Sequence, residues 1–151
     1  MKTLLLTALF SLTSLAYAAD AQMVNPHGSS PHGAVASAAE VGDVNVAKAV
    51  GANAYTVAEI IDQSKILKDK PVVVRGKVVK FSPEIMGKNW IHLRDGSGTA
   101  AAKNNDLVLT TKDQAKVGAV VIARGIVRTD KDFGHGYAYE VIMEEASVSA
   151  K

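Results

Sequence analysis

Apolar residues recur along this chain with two periods. Between Tyr55 and Ser64 they fall at helical spacing, with Val57, Ile60 and Ile61 on one stripe. From Pro71 onward they alternate, or run together as β-branched blocks, as in strands. The helical stretch opens on Thr56-Val-Ala-Glu59, a capping box in which the Thr56 hydroxyl accepts from the Glu59 amide and the Glu59 carboxylate reaches back. Tyr55 and Ile60 occupy the hydrophobic-staple positions. The pattern predicts a short helix over about 57–64, ended by Asp69-Lys70-Pro71.

Five strand patterns follow. PVVVRGKVVKF (71–81) is β-branched, with Gly76 at its centre. NWIHLRD (89–95) alternates, and DLVLTT (106–111) sets Leu107 and Leu109 against polar neighbours. VGAVVIARGIVRT (117–129) is long and carries Gly125. GYAYEVIMEEASV (136–148) sets Tyr137, Tyr139, Val141 and Met143 against Glu140 and Glu144, which read as a solvated stripe. Turn residues separate the runs, among them Ser82-Pro83, Asp95-Gly96-Ser97-Gly98 and Phe133-Gly134-His135-Gly136. Long first and fourth strands, each interrupted by glycine, predict a small closed barrel, because such strands must bend to serve both sheets. The expected fold class is all-β: a five-stranded OB-fold barrel preceded by a short α-helix and a disordered N-terminal tail. Only Lys112 to Lys116 separate strands three and four, which leaves no room for a helix there.

Composition divides the 151 residues further. Residues 1–18 have a basic start at Lys2, an apolar run from Leu4 to Leu15 and the small-x-small site Ala16-Tyr17-Ala18. That is a Sec-type signal peptide, cleaved after Ala18, which places the mature chain in the periplasm and leaves it without a membrane span. Residues 19–54 are dominated by small residues and read as a flexible low-complexity tail. The domain itself spans 55–151. There is no cysteine, so thiolate metal sites, disulfides and c-type haem attachment are excluded. Without Lys2, sixteen basic residues face fifteen acidic ones, too even a balance for strong non-specific binding of phosphate backbones. A local basic stripe remains open.

The blocks VVVRGKVVKF, IMGKNWIHLRDGSG, NDLVLTT, VGAVVIARGIV and DKDFGHGYAYEVIMEEA resemble small secreted bacterial OB-fold proteins. Those proteins are related to the anticodon-binding, nucleic-acid-binding type of OB domain. The resemblance covers about residues 55–148. It implies the fold, and a binding role toward nucleic acid or nucleotides.

Four constellations are candidates for chemistry. On strand two, Ile91 and Leu93 are expected to face the core, leaving Trp90, His92 and Arg94 on the outer face, where OB folds commonly bind oligonucleotides. With Arg75 and Lys77 of strand one they would offer a stacking ring among cations, suited to a single strand, a nucleotide or another anionic ligand. Alternatively Trp90 folds over a barrel end and its basic neighbours are simply solvated. The second candidate is a soft-metal site from Met86 and His92, suited to copper or another transition metal, with Met143 or Met23 as a further thioether. A periplasmic copper chaperone is also a small OB barrel using His, Met and Trp, but the order and spacing here depart from it. Third, His27 and His32, in the repeated Pro-His-Gly units of the tail, could chelate a metal weakly. Fourth, His135 lies in a Gly-flanked turn that reads as turn geometry. No nucleophile elbow, phosphate loop or His-Glu-x-x-His motif is present, so an enzyme is not expected. The expected protein is a monomeric binder without a cofactor, the alternatives being a metal carrier and an adaptor for a periplasmic protein partner.

Overall fold

A computed structural model describes residues 43–150. The leader at 1–18, the tail at 19–42 with Met23, His27 and His32, and the terminal Lys151 lie outside the described residues. The elements are two short helices, α1 (Val57–Asp62) and α2 (Ser64–Leu67), then five strands. These are β1 (Pro71–Ile85), β2 (Lys88–Arg94), β3 (Leu107–Thr111), β4 (Val120–Asp132) and β5 (Ala138–Ala150). The five-stranded sheet closes in a ring in the order β1-β2-β3-β5-β4, and β4 pairs back onto β1. All pairings are antiparallel except β3 with β5, which is parallel. No helix among the described residues is long and apolar enough to cross a membrane.

The capping box of α1 is formed in full. Thr56 Oγ1 accepts from the Glu59 amide at 3.1 Å, and Glu59 Oε2 accepts from the Thr56 amide at 2.8 Å. A second carboxylate fixes the same helix end from outside: the buried Asp95 takes the Val57 amide on Oδ2 at 2.9 Å and the Ser97 amide on Oδ1 at 2.9 Å. Thus the turn after β2 and the start of α1 are one hydrogen-bonded unit. Val57 and Ile60 are fully buried and join the interior core.

The inward positions follow a period of two, interrupted by a register shift between Ser82 and Ile85 near the end of β1 and by two bulges deeper in the sheet. On β1, Val72, Val74 and Val78 face the core, and the next inward side chain is Phe81, three residues on. The pairing accounts for this: Val78 faces Leu93 but Lys80 faces His92, so Val79 is an extra residue in β1. On β5, Met143 and Ala146 both face the core. β3 advances from Leu109 to Thr111 while β5 advances from Met143 to Ala146, and β4 shows the same mismatch, Ile126 facing Glu144 and Arg124 facing Ser147. Glu145, at φ 55°, lies within this bulge.

Gly76 and Gly125 occupy inward positions for lack of space. A Cβ on Gly76 would lie 2.7 Å from Leu93 Cγ, and one on Gly125 would lie 2.6 Å from Met143 Cγ. Between them the long strands β1 and β4 run side by side, antiparallel, with Val72 opposite Gly125 and Gly76 opposite Val121.

The stretch from Asp43 to Ala54, expected as part of the tail, lies against the ring. The Val46 amide donates to Asp95 O, Ala54 forms a parallel bridge with Val73, and Lys48 pairs with Glu59 at 2.7 Å. Backbone hydrogen bonds and one ion pair hold this strap. It carries little apolar patterning, so composition made it look like linker.

Candidate functional site: the outer face of β1 and β2

Alternation sends Ile91 and Leu93 inward, both fully buried, and sends Trp90, His92 and Arg94 outward. Strand pairing arranges the outer face in rows. Lys77 stands opposite Arg94, Lys80 opposite His92, and Ser82 opposite Trp90. The rows continue onto β3, with Val108 beside His92 and Thr110 beside Trp90. Arg75 lies beyond the end of β2, opposite Ile122 of β4, where it donates weakly at 3.4 Å to Ala47 O of the strap.

The face divides in two. Its Trp90 half is closed. Trp90 is only 3% exposed and packs with Val108 and Ile142 in a second, smaller core outside the ring. Phe133, Tyr137 and Tyr139, from the β4–β5 hairpin, cover it at ring-centroid distances of 5.2, 5.5 and 5.6 Å. The indole N–H donates to Ile85 O at 2.8 Å. Trp90 therefore has no open face on which a base could stack. The tip of the covering hairpin runs through three successive positive-φ residues, Gly134, His135 and Gly136. His135 is a turn residue at that tip.

The other half is open and basic. Lys77 and Lys80 have no side-chain partner among the described residues. Arg94 and His92 share one carboxylate: Arg94 Nε donates to Asp106 Oδ2 at 2.8 Å, and His92 Nδ1 lies 2.8 Å from Asp106 Oδ1. Burial would raise the Asp106 carboxyl, but the hydrogen bonds and charges of His92 and Arg94 outweigh it and hold it below the ordinary aspartate range. The half-face thus carries Lys77, Lys80, His92 and Arg94 around a single acid. Neither Asp106 nor Lys80 was singled out from sequence. Asp106 lies in the loop before β3, and nothing in the spacing ties it to His92. The Val79 bulge is what turns Lys80 onto this face.

Below the covering hairpin a second electrostatic cluster is built around Glu144. It was read as part of a solvated stripe, yet it is buried, while Glu140 is exposed. Lys131 and Lys88 reach it at 3.1 and 3.2 Å, and Arg128 lies at 3.9 Å. Both lysines also lie over the Phe133 ring, at 5.5 and 5.7 Å from its centroid. Burial would raise Glu144, but Lys131 and Lys88 outweigh it and bring it below the ordinary glutamate range. The cluster ties the aromatic cover to the ring.

The soft-metal candidates are not brought together. Ile85 pairs with Lys88, so Met86 and Gly87 form a two-residue turn, both at positive φ, with Met86 exposed at the tip. His92 lies four residues along β2 from Lys88, about 13 Å of strand at the usual rise. Met143 is fully buried in the interior core and cannot serve as the second thioether. Among the described residues no group of three or more His, Cys, Asp or Glu could hold a metal ion. No protein-family model matches the chain, and no curated protein is detectably similar to it.

Proposed function

We propose that this chain is an exported, non-catalytic binding module whose five-stranded ring is an OB-type barrel. Its ligand is anionic, of the nucleic-acid or nucleotide type, and it lies on the open half of the β1–β2 face. The supporting observation is the register that sets Lys77 beside Arg94 and Lys80 beside His92, four basic groups in adjacent rows with one carboxylate among them. Phosphates would be taken by Lys77, Lys80 and Arg94, with Arg75 at the edge of the patch. His92 adds a hydrogen-bonding ring held by Asp106. Trp90 acts here as the pillar of the small outer core, holding β2 flat beneath the cations. Recognition rests on charge and hydrogen bonding, which predicts modest affinity and steep salt dependence.

Fluorescence anisotropy with a labelled short single strand at low salt tests this reading. Wild-type protein is expected to bind, and Lys77→Glu with Arg94→Glu is expected to abolish binding while the fold survives. Absence of binding at low salt, or equal affinity in the charge-reversed variant, would refute it.

A further inference from the structure

The β5 bulge has an effect away from the basic face. Because β5 carries one residue more than β3 between their paired positions, the parallel seam opens beside Thr111 and Ala146. A side chain closes the ladder there: Thr111 Oγ1 donates to Ala146 O at 2.6 Å. Outside this bond lies a cleft of about 360 Å³, within the range of small-molecule sites.

Thr110, on the wall of this cleft, is 1% exposed, and its Oγ1 has no hydrogen-bond partner among the described residues. A buried hydroxyl left unpaired costs about 1–3 kcal/mol. Valine has the same shape without that cost, and it suits a strand equally well. A buried hydroxyl without a partner among the described residues calls for one, and a group bound in the cleft would supply it.

The rest of the lining narrows what that group belongs to. The lining holds two ammoniums, Lys88 and Lys112, and two carboxylates, Asp113 and Glu145, of which Glu145 also accepts from Arg128 at 3.4 Å. The lysines are held in place, Lys88 by Glu144 at 3.2 Å and Lys112 by Gly87 O at 2.5 Å. An ammonium has three donors, so each keeps donors to spare. Asp113 is held by one oxygen, Oδ2, which accepts from the Val148 amide at 2.6 Å. Its other oxygen makes no hydrogen bond among the described residues. A simple anion would meet the two carboxylates, and a simple cation the two ammoniums. A small molecule carrying both charges meets neither penalty.

We infer that the β3–β5 cleft is a second binding site, distinct from the basic face, for a small zwitterion such as an amino acid or dipeptide. Its carboxylate pairs with Lys88 and Lys112, its ammonium with Asp113 and Glu145, and Thr110 Oγ1 hydrogen-bonds the ligand at the cleft floor. Because Thr110 Oγ1 is buried in the free protein, a neighbouring side chain must move for the ligand to reach it.

Glycylglycine is the probe, with acetate and methylammonium as its single-charge halves. Calorimetry and amide chemical-shift mapping on the purified chain are expected to give saturable binding for glycylglycine, with shifts centred on Thr110 to Asp113 and on Glu145 to Ser147. Thr110→Val should keep or raise the melting temperature of the free protein and weaken binding at least tenfold. Lys112→Met should weaken it as well. The inference is overturned by no saturable binding at millimolar glycylglycine, by equal affinity in Thr110→Val, by acetate binding as well as the zwitterion, or by shifts confined to Lys77, Lys80 and Arg94.

Discussion

Phe133 meets Trp90 edge-on, with 5.2 Å between ring centroids and 79° between the planes. One residue comes from the tip region of the β4–β5 hairpin and the other from the middle of β2, so this contact pins the hairpin across the outer face. The arrangement is a favoured one for aromatic pairs. Phe133→Ala should expose the indole, move its emission to longer wavelength and cost about 1–3 kcal/mol of stability. Emission unchanged from wild type would show that Tyr137 and Tyr139 suffice as the cover.

Among the described residues, Asp106 is the one carboxylate bonded to the basic rows, and it offsets the charge of Arg94, one of the groups that would take a phosphate. Asp106→Asn keeps the hydrogen-bonding shape and removes the charge. Affinity for a short single strand is expected to rise about three- to tenfold at low salt, and the gain should shrink as salt screens the face. A loss of affinity in anisotropy titrations would mean that Asp106 orients Arg94 for the ligand more than it competes with it.

Glu144 links pH to stability. Its carboxyl lies below the ordinary glutamate value of 4.5 in the folded protein, so the unfolded chain takes up this proton first as pH falls. The stabilisation is complete above about 4.5 and is lost as pH drops through the folded value. Asp106 and Glu59 contribute in the same direction. Glu144→Gln should therefore lower stability at neutral pH by about 1–3 kcal/mol and flatten the acid limb of the stability curve. Denaturant titrations between neutral pH and pH 3 measure both. Parallel curves for the two proteins would remove Glu144 from the account.

Gly76 and Gly125 are limited by space. Gly76→Ala would press its Cβ against Leu93 and the Arg94 carbonyl, and Gly125→Ala would press on Met143 and the Glu144 carbonyl. Each is expected to cost about 1–3 kcal/mol by overpacking. Chemical denaturation that finds either change neutral would show that Leu93 on β2 or Met143 on β5 can give way to the added methyl.

Much of the architecture was legible from periodicity. The helix start was readable because a capping box is local, with both partners inside four residues. The five strands were readable because a sheet that buries one face alternates its side chains. The hidden features were those that depend on register. A bulge adds one residue without any mark in the composition, so Glu144 was placed on a solvated stripe although it is buried, and Lys80 was not counted with Lys77. The strap at Asp43–Ala54 is hidden in the sequence because most of its attachments are backbone groups.

For the candidate site the division is similar. The sequence by itself determined that Ile91 and Leu93 point inward and that Trp90, His92 and Arg94 share the other face, since a strand has no alternative to a period of two. Only the tertiary structure decided what happens on that face. It folded Phe133, Tyr137 and Tyr139 over Trp90, set Asp106 between His92 and Arg94, and left Lys77 and Lys80 without a side-chain partner among the described residues. The bonded and stacked partners lie 12 to 49 residues apart in the chain. Their meeting depends on strand pairing and on the path of the hairpin, which short-range patterning does not encode.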